Sequence, residues 1–280
     1  MSTACYRAAM DRAAIEPPVE PGFEASAGAR DPLVARWLGR VGYRDAWDLQ
    51  KRLAAARAEG RIPDQLLLLE HEAVLTLGRQ ADDSHVLAPA PLLEARGIEV
   101  LRVERGGEVT YHGPGQLVAY PILHLPDRAL LLRPYVRALE AALSDTCAAF
   151  GVTAGRREGH PGCWVDAEGP RPRKIGALGI RVERGVAYHG IALNVDVSLA
   201  DFDLIDPCGM PGLASASIAS ELGNRDEPPS TERVAAAARV FARSLARHLG
   251  SQGIAGDLPP AADPVGERAA LERLAAAQAA

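Results

Sequence analysis

Apolar positions recur along this chain with two periods, and together they predict alternating strands and helices. From 44 to 59, Ala46, Leu49, Leu53 and Ala56 fall on one face at helical spacing, and Gly60 supplies the stop. Residues 65–70 (Gln-Leu-Leu-Leu-Leu-Glu) and 74–77 are short apolar runs of buried-strand type. A short helix over 90–96 ends at Gly97, and 98–103 returns to strand. The run 117–123 is strongly strand-like, and 133–150 reads as a helix closed by Gly151. Further strands are expected near 163–165, at 175–182 and at 186–195, with Glu183-Arg184-Gly185 as a hairpin turn whose glycine suits positive φ. The Pro/Gly-rich stretch 206–212 precedes a short helix at 215–222. Over 231–249, Val234, Ala238, Phe241, Leu245 and Leu249 form a core stripe behind an N-cap at Ser230 or Thr231.

No internal repeat or clear linker interrupts 33–250, which reads as a single α/β domain with a mixed sheet. Residues 1–32 lack periodicity and are expected to be a flexible extension, and 251–280 a weakly ordered, alanine-rich tail. An apolar content of 48% over 280 residues is ample for a buried core. The net charge of -5 argues against a nucleic-acid surface. No apolar run approaches the ~20 residues of a membrane span, and Asp11, Glu16, Glu20 and Glu24 speak against a signal or transit peptide. Cys5, Cys147, Cys163 and Cys208 are widely spaced, with no Cys-x-x-Cys pair. That pattern suits a reducing compartment, so the expected location is the cytoplasm.

The segment 105–116, Arg-Gly-Gly-Glu-Val-Thr-Tyr-His-Gly-Pro-Gly-Gln, carries the most chemical information. Its backbone is poor in side chains and can lie close to a ligand, while Arg105, Thr110 and His112 remain to orient it. It leads into a strand and not into a helix N-terminus, and no Gly-x-x-x-x-Gly-Lys-Ser/Thr occurs, so a phosphate loop is disfavoured. His160-Pro-Gly-Cys163 is a lone His-x-x-Cys, and no metal is expected. Cys208, between proline and glycine ahead of a short helix, stands where backbone N–H groups can face its sulfur; the alternative is a structural cysteine in a tight turn. The 31 basic residues are all arginine save Lys51 and Lys174. A lysine kept at the head of a glycine-containing strand, as Lys174 is, suggests a use for a cation that can lose its proton, such as activating a thiol. His112 and His189, in Thr-Tyr-His-Gly and Ala-Tyr-His-Gly, could serve as acid, base or orienting donor, or be satisfied core histidines; His71 is a weaker candidate.

With these residues in view the chain resembles the lipoyl(octanoyl) transferase family. The resemblance rests on 105–116, on Lys-Ile-Gly-Ala-Leu-Gly-Ile (174–180), on Tyr-His-Gly-Ile-Ala-Leu-Asn-Val (188–195) and on Ile-Asp-Pro-Cys-Gly (205–209). His71-Glu-Ala-Val-Leu-Thr-Leu-Gly-Arg79 fits a further family segment. The resemblance implies an α/β (α+β) fold of the biotin/lipoate-protein-ligase type, a mixed β-sheet backed by helices. It implies an acyltransferase that forms an octanoyl thioester on Cys208, drawn from octanoyl-acyl carrier protein, with Lys174 as the residue that activates the thiol and handles the proton. The acyl group then passes to a lysine of apo lipoyl domains, those of 2-oxoacid dehydrogenase E2 subunits and glycine cleavage H protein. Substrate contacts are implied at Arg105, Gly106, Gly107, Glu108, Val109, Thr110, Tyr111 and His112, at Ala177, Leu178 and Gly179, and at Gly190, Ile191 and Ala192, with His189 and His71 in support.

No cofactor or metal is implied, because thioester to amide is downhill; a monomer is expected. The stretch after Cys208, Gly-Met-Pro-Gly-Leu-Ala-Ser-Ala-Ser-Ile, departs from the family's usual Val-Thr-Ser. An acidic carrier protein would need a local basic patch on this net-negative chain, for which Arg156-Arg157 and Arg171-Pro-Arg173 are candidates. Two rivals stand beside this reading: an ATP-dependent lipoate or octanoate ligase of the same fold, and a non-catalytic binder of acylated carrier protein.

Overall fold

The computed structural model describes residues 32–224 and 228–258. Of the expected terminal segments, 1–31 (Cys5 included) and 259–280 lie outside the described residues. In chain order the elements are β1 (Leu33–Val41), α1 (Tyr43–Ala58), β2 (Gln65–His71), β3 (Val74–Leu77), α2 (Ala90–Ala95), β4 (Glu99–Arg102), β5 (Val109–His112), β6 (Gln116–His124), α3 (Leu132–Ala149), β7 (Gly155–Arg157), β8 (His160–Val165), β9 (Arg173–Glu183), β10 (Val186–Asn194), α4 (Ile218–Glu221), α5 (Thr231–His248) and β11 (Ile254–Asp257). Every strand and helix read from periodicity is present, most with ends shifted by a residue or two. The helix expected over 215–222 is shorter, because 214–216 is extended and pairs with Lys174.

Among the described residues the strands form an eight-stranded sheet, ordered β11-β1-β2-β6-β10-β9-β8-β7, and a three-stranded sheet, β4-β3-β5. The large sheet is parallel across β11/β1/β2 and antiparallel from β2 onward, so it is mixed. Helices cover both faces, and β2 shows it in its alternation. Leu66 and Leu68 pack with Tyr135, Leu139 and Leu143 of α3 and Phe241 and Leu245 of α5. Leu67 and Leu69 point the other way, onto Ala46, Leu49 and Leu53 of α1. A strand buried on both faces reads as an unbroken apolar run, as this one does. The small sheet packs Leu75, Leu77, Val109 and Tyr111 against Phe202 and Leu204. Among the described residues no helix is long and apolar enough to cross a membrane.

Four strands were not legible beforehand. β1 carries Arg36, Arg40 and a left-handed Gly39 that marks a register shift, which breaks its alternation. β5 lies inside the glycine-rich segment, β7 is three residues long, and β11, Ile-Ala-Gly-Asp, is a four-residue edge strand that sets a single large apolar residue, Ile254, against the core. β11 lies beyond residue 250, within the stretch expected to be a weakly ordered tail.

One irregularity positions the site. The β6–β10 ladder pairs Ala187 with Leu123 and Ile191 with Ala119, but opens between them. In that register His189 faces Pro121, which has no N–H to give. His189 takes φ 56°, a conformation rare for a side-chain-bearing residue, while its pairing with β9 continues. Its N–H is recovered by Gln50 Oε1 on α1 at 2.9 Å.

Candidate active site

Pro207–Gly209 forms one turn of 3-10 helix, in which Cys208 stands at φ 58°, ψ 24°. Such a left-handed cysteine is strained by on the order of 1 kcal/mol and persists because its surroundings fix it. Asp206 N–H donates to His85 O at 2.8 Å, anchoring the turn to the chain before α2. Gly209 N–H donates to Asp206 O and Met210 N–H to Pro207 O. Both amides are therefore spent within the turn, which corrects the expectation that they would face the sulfur. The group that does so is Lys174, whose Nζ lies 3.1 Å from Cys208 Sγ.

Lys174 is held on every side. Its N–H donates to Ala214 O and its carbonyl accepts Ala216 N–H, each at 2.9 Å, so the chain just after Cys208 is stitched to the lysine. These are backbone bonds, which explains how the unfamiliar sequence of 209–218 can still fasten the pair. The side chain runs past Gly162, where a Cβ would come within 2.8 Å of Lys174 Cε, and its ammonium sits 5.1 Å from the Trp164 ring centre. Lys51, the other lysine, is on the surface of α1, paired with Asp48. Cys163 and Cys147 are buried core thiols, while His160 is on the surface against Trp164.

The Lys174–Cys208 pair borders a cavity of about 400 Å³. Arg105, Gly106, Gly107, Glu108, Val109, Thr110 and His112 line one side; Lys174, Ala177, Leu178, Gly179, His189, Gly190, Ile191 and Ala192 line the other. The glycine-rich segment and the two facing strands are thus one enclosure. At Gly179 a Cβ would lie 2.8 Å from Arg105 Cδ, so a larger residue there would displace the arginine. Two expected residues do not line it. Alternation along β5 sends Tyr111 to the opposite face, edge-on to Phe202. His71 lies one layer behind, donating from Nδ1 to Val41 O and accepting from Tyr120 OH at Nε2. Tyr43, Gln80, Tyr120, Val136, Pro161 and Ile180 complete the wall and were not foreseen. Alternation within 117–123 offered one signal, since Val118, Tyr120 and Ile122 share a face.

The polar groups cluster at Arg105. Its buried guanidinium donates to Thr76 Oγ1, Thr76 O and Gly106 O, and among the described residues it has no carboxylate partner. Burial lowers its pKa, against the pull of nearby Tyr43 and Cys208. Burial likewise pushes Tyr43 up to about 12. His112 donates from Nδ1 to Gln116 Oε1 at 2.7 Å; Gln116 donates to Asn194 Oδ1, and Asn194 to Ala216 O, the residue bonded to Lys174. A hydrogen-bond chain thus joins the cavity floor to the Lys174 strand. His189 Nε2 is 3.6 Å from Glu104 Oε1. Partial burial acts to raise the Glu104 carboxyl, but His189 and Trp47 overcome it and hold it at about 2.

Burial lowers His71 to about 4 and depresses His112 and His189 as well. Depressed folded-state values mean that the unfolded chain binds more protons below about pH 6.5, so stability is full above that pH and lost as pH falls toward 4. His71 alone should remove about 2 kcal/mol by pH 5. The expected result is a melting temperature that drops between pH 7 and 5, with the His71 ring showing no NMR titration above pH 5. A His71 signal titrating near 6.5 would contradict the assignment.

A family model described as the lipoyl protein ligase A/B catalytic domain matches residues 42–241. Among curated proteins, an octanoyltransferase of Acidobacterium capsulatum is 47% identical over 80% of this chain and 94% of its own length. One of Nocardia farcinica is 42% identical over 81% and 84%. Among solved structures, a bi-partite lipoate protein ligase of Thermoplasma acidophilum, described with its E2 lipoyl domain, superposes with TM-score 0.58 at 14% identity, covering 88% of this chain and 92% of that one. LipL1 of P. falciparum in complex with lipoate gives TM-score 0.58 at 10% identity over 86% and 70%. The structural likenesses are likenesses of fold, a mixed sheet backed by helices.

Proposed function

The chain belongs to the lipoyl protein ligase A/B catalytic-domain family, and on that footing we propose that it works through Cys208 and Lys174 in two half-reactions. It is an acyltransferase that moves an octanoyl group in protein lipoylation. The observation that carries the proposal is the 3.1 Å approach of an amine to a half-buried thiol at the edge of a cavity that Leu178, Ile180, Ile191 and Ala192 help to line.

In the first half, the Cys208 proton passes to Lys174 and the thiolate attacks the thioester carbonyl of octanoyl-acyl carrier protein. The bond from that carbon to the carrier's sulfur breaks, and Lys174 returns the proton to the departing thiolate. In the second half, the neutral ε-amine of a lipoyl-domain lysine, on an E2 subunit or H protein, attacks the Cys208 thioester. An amide forms, Cys208 leaves as thiolate and Lys174 takes the proton lost by nitrogen. Each half therefore restores the pair for the other.

Leu178, Ile180, Ile191 and Ala192 would receive the acyl chain, whose burial is worth ~0.8 kcal/mol per methylene. The Arg105 guanidinium, lacking a carboxylate, is suited to a carbonyl oxygen. Both reacting residues come from one chain, so a monomer suffices. The catalytic unit is 33–250 together with β11, which completes the sheet edge. Free thiols at Cys147, Cys163 and Cys208 support a reducing, cytoplasmic setting.

The competing ATP-dependent ligase differs in its donor. With octanoyl-carrier protein and apo lipoyl domain supplied and ATP withheld, the expected product is the octanoylated lysine. A reaction that proceeds only from free octanoate with ATP would overturn the transferase reading.

A further inference from the structure

A second recess, of about 610 Å³, is lined by residues adjoining the Lys174–Cys208 pair in the chain, Arg173 before Lys174 and Met210 two residues after Cys208. Arg157, His160, Arg171 and Arg173 rim it, Trp164 forms part of its wall, and 210–214, the chain directly after the Cys208 turn, forms the rest. No carboxylate lines it. Trp164 joins the two sites, since its ring carries the Lys174 ammonium at 5.1 Å and the Arg157 guanidinium at 5.6 Å.

The four arginines of this region are not equivalent. Arg156 is paired with Glu140 at 3.2 Å and approaches Glu158, and Arg173 is paired with Glu221 at 2.8 Å. Arg157 and Arg171 have no ion-pair partner among the described residues; Arg171's backbone N–H donates to Asp166 and its carbonyl accepts from the Arg173 guanidinium, which leaves its own side chain unpaired. Two guanidinium groups without an ion-pair partner, in a recess that no carboxylate lines, make a local basic patch on a chain of net charge -5, next to the segment that follows the Cys208 turn.

We propose that this recess receives the acyl donor, an acidic carrier protein with its phosphodiester-linked thioester arm, through Arg157 and Arg171. The inference rests on the transferase reading above. The field is wrong for the other substrate: an acceptor lysine arrives as an ammonium, which two unpaired guanidinium groups repel. A donor bearing a phosphodiester and acidic side chains is drawn to the same place, and its arm would reach Cys208 past Met210.

The test is the paired charge reversal Arg157→Glu/Arg171→Glu, with Arg157→Gln/Arg171→Gln as a milder version should reversal disturb the fold. The donors are octanoyl-carrier protein and the uncharged octanoyl-pantetheine. KM for octanoyl-carrier protein should rise about 10-fold or more with kcat nearly unchanged, and the salt sensitivity of that KM should weaken. Turnover of octanoyl-pantetheine and KM for the lipoyl domain should stay within about 2-fold of the parent. Equal losses on both donors, or a rise confined to the lipoyl-domain KM, overturns the docking assignment. A parent enzyme that transfers from neither donor overturns the transferase reading itself, and the assignment with it.

Discussion

Cys208→Ser is expected to lower octanoyl transfer from carrier protein by on the order of 10⁴-fold or more, with little change in melting temperature. The substitution replaces sulfur by oxygen in a side chain of nearly the same shape, so the 206–210 turn and its backbone bonds are kept. What is lost is ionisation. A thiol is a far stronger acid than an aliphatic hydroxyl, so the proton that sulfur can give to the amine 3.1 Å away stays on oxygen. Steady-state transfer to an apo lipoyl domain checks this, with a thermal melt as the control on folding. A variant that kept a tenth of the parent rate would contradict an obligatory thioester on residue 208.

Lys174→Met is expected to cost between about 10² and 10⁴ in kcat, the range for losing a positioned proton carrier. Methionine preserves the unbranched apolar stem, which matters where a Gly162 Cβ would lie within 2.8 Å of Lys174 Cε. It removes both the amine beside the sulfur and the group proposed to return the proton to the departing carrier thiolate. Two readouts separate these roles from a structural one: alkylation of Cys208 by iodoacetamide at pH 7 should slow, and the pH dependence of kcat should flatten. The backbone bonds of Lys174 to Ala214 and Ala216 are unaffected, so the melt should move little. Unchanged alkylation with a collapsed melting temperature would assign Lys174 a packing role instead.

Cys208 and Lys174, the pair proposed to react, stood out in the sequence because each broke a local habit of the chain, while their roles came from the family resemblance. Lys174 stood out in a chain that otherwise uses arginine, and Cys208 sat between proline and glycine in a turn. What brings them together was not legible. Their contact depends on a parallel bridge between Lys174 and Ser215, a pairing across many residues with no side-chain signature. The same holds for the cavity floor. Tyr43 lies just ahead of the helix read over 44–59 and Tyr120 reads as strand core, and only the stacking of α1 on β6 sets Tyr43 against His71 and His112 and Tyr120 against His71. Resemblance placed Tyr111 on the substrate, although the period of two along 109–112 puts it opposite His112's face.

Helices 43–58, 132–149 and 231–248 were readable because each buries one stripe and β2 because both its faces are covered. β11 was not, since a four-residue edge strand with one large apolar residue, Ile254, shows no period. His189 lies between these cases. Its glycine neighbour hinted at irregular backbone, but the cause, Pro121 opposite it on β6, sits on another strand.

The most direct measurement is the intact mass of the protein after brief incubation with octanoyl-carrier protein, acceptor withheld. One added octanoyl group is expected, mapping to the peptide that contains Cys208 and disappearing when apo lipoyl domain is supplied. Transfer that runs with no octanoyl adduct at any time, or an adduct that maps away from Cys208, would contradict the account.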